Sequence, residues 1–146
     1  MMEISSKVKY TLLALLELTR YYKQEKFLQI EQIAVCQQIP DRYLGQLLMS
    51  LRRSGLVCSQ RGVKGGYQLS KPPEEITVLE VLTCLEGAAT QEYGEPGESL
   101  TMENMILKEV WHEATKAALT VFGSYTLKDL YEKQQASHLL NPMYYI

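Results

Sequence analysis

The sequence has few cysteines and no long apolar run. Its three cysteines, Cys36, Cys58 and Cys84, are odd in number and contain no C-x-x-C pair, which argues against a disulfide framework or a zinc module. The longest apolar run near the start, residues 12–16, ends at Glu17 and is not followed by a signal-peptidase site. We therefore expect a cytoplasmic protein that makes no contact with a membrane.

The sequence also lacks the motifs that carry catalysis. It contains no G-x-S-x-G, no P-loop, no Rossmann glycine pattern and no histidine-rich metal motif. The two histidines, His112 and His138, have no evident catalytic partner at a useful spacing. The sequence therefore predicts that the protein is not an enzyme.

Charge is distributed unevenly along the 146 residues. The total is only −2, but residues 1–73 carry eleven basic and five acidic side chains, a net charge of +6. Residues 74–146 carry four basic and twelve acidic side chains, a net charge of −8. A basic half favours binding to a polyanion; the alternative is a chance scatter of charge over one surface.

Apolar residues at helical spacing predict three helices in the basic half. The first begins at a serine cap in residues 5–6, and the second spans residues 30–38 and stops before Pro40. The third begins with Asp41 as its N-cap and ends at residues 54–55, a Ser-Gly pair. Two helices separated by a brief turn are typical of a helix-turn-helix.

A basic β-hairpin is predicted directly after the third helix. Two β-prone segments, residues 56–60 and 66–70, flank a glycine-rich turn that contains Arg61 and Lys64. Residues 71–73, Lys-Pro-Pro, form a stiff connector. The sequence therefore predicts a mainly α fold with a small β-hairpin wing, in which residues 1–73 form a winged helix-turn-helix domain.

Residues 74–146 are predicted to contain two short helices, the first of which is followed by a long loop. Each short helix is marked by a capping box, Thr77 with Glu80 and Thr126 with Asp129. The first is a linker helix that runs to Gly87, and the second spans residue 127 to about residue 133. Residues 87–99 are too rich in glycine, proline and polar side chains for a regular element, and a loop of this length suggests a sensor role. The C-terminal tail has no predicted structure.

A long helix is predicted from about Leu100 to Phe122. Its apolar residues repeat along one face. These residues are Met102, Ile106, Val110, Ala114, Ala117 and Val121. Because a small winged domain has too little core to cover such a helix, we expect this face to pack against the same helix of a second subunit.

Several segments match the pattern of a known family. They are Ser6-Lys7 and Tyr10, Tyr43-Leu44 and Gln46-Leu47, residues 51–57, the wing sequence Arg61-Gly62-x-x-Gly65-Gly66-Tyr67-x-Leu69, Ile76-Thr77-Val78 with Glu80-Val81, Trp111, and Thr126-Leu127 with Asp129-Leu130. Over residues 4 to about 133 the chain resembles the Rrf-type family of bacterial winged helix-turn-helix transcriptional regulators, which includes IscR, NsrR and CymR. The wing is the most specific of these segments.

The resemblance implies a homodimer that binds a pseudo-palindromic operator in double-stranded DNA. The second helix of the motif would enter the major groove, and the wing would approach the minor groove. We expect a repressor, because a small protein that covers a promoter can block polymerase without further contacts. A winged helix used only for protein contacts, as an adaptor, is the alternative.

The resemblance and the residue types together predict which residues contact DNA. Arg42 and Gln46 lie four apart on one helix face and can pair with guanine and adenine. Arg61, beside Gly62, could enter a narrow minor groove, and Tyr43 is either a DNA contact or a core aromatic. Phosphate contacts are expected from Ser6, Lys7, Lys9, Arg52, Arg53 and Lys64.

The roles predicted for Arg52 and Arg53 have an alternative explanation, and two positions of the third helix depart from the pattern of the family. Arg52 and Arg53 stand near a helix C-terminus, where a cation also stabilises the helix dipole. Gly45 occupies the position at which IscR-like members have an acidic base-contacting residue, and Arg42 replaces a small hydroxyl residue. We therefore expect an operator different from that of IscR.

An iron–sulfur cluster is possible for this family but is disfavoured for this chain. Many relatives bind a two-iron cluster through three cysteines in the loop before the dimerisation helix, whereas residues 87–99 contain no cysteine. Lys108 stands where IscR has a histidine ligand, and His112 lies one turn further on. We expect no cofactor; the alternative is an iron–sulfur or redox site with non-standard ligands that include Cys84. Without a cluster, the signal would come from a small-molecule effector, from thiol oxidation or, as resemblance to CymR allows, from a partner protein.

Overall fold

The computed structural model describes residues 3–86 and 101–140, and within them the chain is mainly helical with one two-stranded hairpin. The elements are α1 (Ser6–Tyr21), α2 (Ile30–Gln37), α3 (Asp41–Arg53), β1 (Val57–Gln60), β2 (Gly66–Leu69), α4 (Val78–Glu86), α5 (Met102–Ser124) and α6 (Leu127–Leu140), with 3₁₀ turns at Tyr22–Gln24 and Pro73–Glu75. The predicted fold class is confirmed. The predicted loop at residues 87–99 and the C-terminal tail lie outside the described residues.

The helix-turn-helix is formed by α2 and α3. Ser5 caps α1 by accepting a hydrogen bond from the backbone N–H of Val8 at 3.2 Å. The prediction that Asp41 caps α3 is wrong, because Pro40 occupies the N-cap position and Asp41 is the first helical residue. There its carboxylate still faces the positive end of the helix dipole. The helix ends before Gly55, which has a φ of +82°.

The wing is held against the start of α2. β1 and β2 pair antiparallel with Val57 opposite Leu69. Leu28 and Tyr67 exchange two backbone hydrogen bonds, of 2.8 and 2.7 Å, which extend the pairing to a third segment of chain. Gly66 has a φ of +135°, and a Cβ at this position would collide with the backbone of Leu28. A glycine is therefore required at this crossing.

The last helix is longer than the sequence predicts. The capping box at its start is confirmed, since Thr126 N–H donates to Asp129 at 2.9 Å and Asp129 N–H donates to Thr126 at 3.1 Å. However, α6 continues to Leu140, about two turns beyond the predicted end near Lys133. Its last turns lack a strong apolar period, and packing of α6 along α1 supplies the stabilisation that the local pattern does not.

One hydrophobic core includes residues from both sides of Pro73. Its fully buried side chains include Leu15, Ile33, Leu44, Leu48, Leu51, Leu56, Leu69, Ile76, Val81 and Leu127. The segment before α4 also pairs with the start of α6, since Leu127 N–H donates to the Ile76 carbonyl at 2.9 Å. The helix-turn-helix, α4 and α6 are thus packed together, and a domain boundary at Pro73 stays a prediction.

Candidate nucleic-acid interface

Helix α3 has one buried face and one exposed face. Its buried residues are Leu44, Leu47, Leu48 and Leu51. On the opposite side four exposed residues follow the i, i+4, i+7, i+11 spacing of a helix, namely Arg42, Gln46, Met49 and Arg53. We call these four residues the exposed stripe of α3. The two predicted base-contacting residues thus lie together on it, and Met49, which is 50% exposed, lies beside them.

Tyr43 lies beside this stripe and is half-buried. Its ring meets that of Tyr10 edge-on, with 5.6 Å between centroids and an interplanar angle of 77°. Both rings pack against the hydrophobic core. The structure therefore gives Tyr43 a packing role, and its predicted contact with DNA stays a prediction.

The turn of the wing is exposed and basic. Arg61, Gly62 and Lys64 are all exposed, as predicted for residues that approach DNA. Val63 at the tip is 95% exposed. The side-chain amide of Gln29, at the start of α2, donates a hydrogen bond to the Val63 carbonyl at 3.3 Å. Gln29 was missed because a glutamine before a helix is common and its partner is 34 residues away.

The predicted phosphate-contacting residues lie at three places in the fold. Ser6, Lys7 and Lys9 are exposed in the first turn of α1, and the Lys7 ammonium reaches the Leu85 carbonyl at the end of α4 at 3.5 Å. Arg52 and Arg53 are exposed at the end of α3, and Lys64 is on the wing. The Arg52 guanidinium donates to Ser59 of β1 at 3.1 Å, which links α3 to the wing.

One acidic residue of the basic half is removed from the surface. Glu17 on α1 is 3% exposed and accepts a hydrogen bond from the side chain of Gln37 at 2.8 Å. The Arg20 guanidinium lies 4.0 Å from the same carboxylate. The Glu17 carboxylate is therefore turned into the fold, where Gln37 and Arg20 partner it.

Helix α5 exposes its apolar residues along its whole length, and none of its residues is buried. The predicted dimerisation residues Met102, Ile106, Val110, Ala114, Ala117 and Val121 are all exposed. A groove of about 740 Å³ runs between α4 and α5, and its lining includes Leu79, Leu82 and Phe122. Val110 and Ala114 also line this groove. The apolar surface of α5 is thus wider than the single face predicted, and it includes Trp111, which is 72% exposed.

The three cysteines lie on separate elements. Cys36 is exposed on α2, whereas Cys58 in β1 and Cys84 on α4 are half-buried. Within residues 3–86 and 101–140, no three histidine, cysteine, aspartate or glutamate side chains are grouped so that they could hold a metal ion. In the same ranges no helix is long and apolar enough to cross a bilayer.

Comparison with known proteins gives the family. The Rrf2 family model, described as an iron-dependent transcriptional regulator, matches residues 4–133. The chain belongs to the Rrf2 family. Within residues 3–86 and 101–140 this Rrf2 protein brings no group of possible metal ligands together, and residues 87–99 contain no cysteine.

Individual relatives align with this Rrf2 protein over nearly its whole length. The HTH-type transcriptional regulator CymR of Bacillus subtilis is 35% identical over 129 residues, which cover 88% of this chain and 89% of CymR. The solved structure of B. subtilis CymR, described as a global cysteine regulator, matches with a TM-score of 0.75 and 34% identity, over 91% of this chain and 98% of that one. The structure of T. potens IscR also gives a TM-score of 0.75, with 29% identity over 91% and 88% of the two chains. This Rrf2 protein is a DNA-binding transcriptional regulator.

Proposed function

We propose that this Rrf2 protein is a homodimeric repressor that binds a pseudo-palindromic operator. In each subunit the exposed stripe of α3 enters the major groove, and the wing turn with Arg61 and Lys64 approaches the adjacent minor groove. Since its target is DNA, we place the protein in the cytoplasm. No catalytic role is proposed, because the matched family and relatives are transcriptional regulators.

The observation that carries this proposal is the exposed stripe of α3. A guanidinium at Arg42 and an amide at Gln46 are the side chains that recognise guanine and adenine in the major groove. Both are exposed on the side of α3 opposite its buried leucines, so both are available to a base edge. The wing, hydrogen-bonded to Gln29 and linked to α3 through Arg52, stands beside the same helix.

Dimer formation is supported by the exposure of α5. A 23-residue helix that buries none of its residues leaves a large apolar surface in water. Met102, Ile106 and Val121 are 70%, 53% and 52% exposed. Packing of this surface against a second copy removes it from water and spaces the two α3 helices for two operator half-sites.

We also propose that this regulator responds to a signal without an iron–sulfur cluster. Residues 87–99 provide no thiolate, and Cys36, Cys58 and Cys84 lie on three separate elements. A small molecule or a partner protein then supplies the signal. The description of CymR as a global cysteine regulator makes sulfur metabolites the first class of effector to test. A colourless, iron-free protein after anaerobic purification is the expected result, whereas visible absorption with stoichiometric iron would contradict it.

Salt dependence of DNA binding tests the interface. Genome-wide binding first identifies the operator, and fluorescence anisotropy then gives the Kd between about 50 and 200 mM salt. Five cationic phosphate-contacting residues in each subunit give about ten in the dimer, so the affinity should fall by about 10⁵-fold over this range. Lys64→Ala should make this dependence less steep, whereas Lys128→Ala, a matched control on α6, should leave it unchanged. A complex insensitive to salt would instead support the adaptor hypothesis.

Transcription of the target genes tests the direction of regulation. In a deletion strain, transcripts from promoters that the protein occupies should rise, because a repressor has been removed. A fall of the same transcripts would contradict repression while leaving DNA binding intact.

A further inference from the structure

The exposed stripe of α3 contains one apolar side chain between polar ones. Arg42, Gln46 and Met49 lie within an arc of about 60° around the helix axis, since each residue advances by about 100°. Met49 is 50% exposed, whereas the other apolar residues of the helix, its leucines, are buried in the core. Met49 is thus the apolar side chain on the face that would meet base edges, and an apolar group on a base edge is a suitable partner for it.

Gly45 leaves the surface next to Met49 open. It lies four residues before Met49, and a helical side chain leans toward the N-terminus over the turn that precedes it. Because Gly45 has no side chain, nothing on that residue separates Met49 from the helix backbone. A Cβ built at Gly45 would meet the Ile30 side chain of α2 at 3.8 Å, an ordinary contact. A Cβ at this position is therefore sterically allowed, so contact at the Cβ does not force a glycine here.

We propose that Met49, lying over Gly45, recognises the methyl group of a thymine in the major groove. Thymine is the base that presents an apolar group on its major-groove edge, and apolar side chains contact it there. This inference rests on the proposed placement of α3 in the major groove and adds a specificity residue to it. Met49 lies about 10 Å along the helix from Arg42, so the thymine should fall within about three base pairs of the base that Arg42 contacts.

Substitution of thymine by uracil tests the contact, because it removes only the methyl group. An operator is first selected in vitro from random DNA with the full-length protein. Each thymine of one half-site is then replaced in turn by uracil, and the Kd is measured by fluorescence anisotropy. One position should weaken binding about fourfold, the effect expected for burial of a single methyl group. No effect at any thymine would overturn the inference.

Variants of Met49 identify the side chain responsible. Met49→Ala and Met49→Gln should abolish the preference for thymine over uracil at that position, whereas Met49→Leu, which is also apolar, should retain it. Leu139→Ala, which removes an exposed apolar side chain from α6, far from α3 in the sequence, should change nothing. If Met49→Ala weakens all sequences equally, the side chain contacts the backbone and the inference is wrong. Failure to select any DNA would instead contradict the proposed function, so the two failures can be distinguished.

Discussion

The side-chain amide of Gln29 donates a hydrogen bond to the backbone carbonyl of Val63, 3.3 Å away, and so joins the start of α2 to the tip of the wing. Together with the paired backbones of Leu28 and Tyr67, it gives the wing two attachments beside the start of α2, in addition to the bond between Arg52 and Ser59. The position of Arg61 relative to α3 therefore depends on residues that precede α2. This arrangement makes Gln29 a positioning residue for the wing.

Gln29→Ala should weaken operator binding through Arg61. Loss of one hydrogen bond of about 0.5–1.5 kcal/mol predicts a two- to tenfold higher Kd. In an Arg61→Ala background the same change should have less than a twofold effect, because the wing contact is already lost. Gln32→Ala is the matched control, since the Gln32 side chain accepts from the N–H of Gln29 and does not bond the wing. Equal effects of Gln29→Ala in both backgrounds would show that it acts only on the stability of α2.

Gly66→Ala should destabilise the protein by about 2 kcal/mol or more. Gly66 has a φ of +135°, and the backbone of Leu28 lies where the Cβ of any other residue would be. Gly62→Ala is the control, because Gly62 also has a positive φ, +113°, but has open space around it. Gly62→Ala should lower the free energy of unfolding only by the backbone strain of a positive φ, about 1 kcal/mol. Urea unfolding measures both, and similar losses for the two variants would contradict the role of the close approach.

Tyr43 variants separate packing from DNA contact. Tyr43→Ala removes a half-buried ring that meets Tyr10 edge-on and should lower the free energy of unfolding by about 1–3 kcal/mol. Tyr43→Phe keeps the ring pair and should keep the stability. Any change in the Kd of Tyr43→Phe for the operator then comes from loss of the hydroxyl group, because packing against Tyr10 needs only the ring. An unchanged Kd would confine Tyr43 to the core.

The sequence predicts best where local patterns and tertiary packing agree. The stop at Pro40 and the buried leucines of α3 define the second half of the helix-turn-helix, and the glycine-rich wing is equally clear. The predicted end of α6 was wrong because the helix packs along α1, a tertiary contact that its local periodicity does not reveal. Met49 and Gln29 were missed because their roles depend on which face of a helix is exposed and on a bond across 34 residues.

Gly45→Glu should change the base preference of the protein. A glutamate carboxylate can accept a hydrogen bond from the N4 amino group of cytosine, and the helix tolerates a Cβ at this position. In vitro selection should therefore yield cytosine at one position per half-site, with weaker binding to the original operator. Gly45→Ala controls for the loss of glycine: it should stabilise α3 by up to about 1 kcal/mol without selecting cytosine. An unchanged selected sequence for Gly45→Glu would place position 45 away from the bases.

Ile106→Glu should convert the dimer to a monomer. Ile106 is 53% exposed on the apolar surface of α5, one turn from the start of the helix, and a charge there would have to be buried without a partner when two copies associate. Sedimentation equilibrium should show the monomer for Ile106→Glu and the dimer for Leu139→Glu, a control at a site on α6 that is 85% exposed.

DNA binding by the same two variants tests whether recognition of the full operator requires the dimer. Affinity of Ile106→Glu for the full operator should fall at least tenfold, because the two half-sites are no longer bound by one linked pair of subunits. Affinity for an isolated half-site should be unchanged, since α3 and the wing are intact in each subunit. A dimer that persists in Ile106→Glu would show that the subunits associate through another surface than α5.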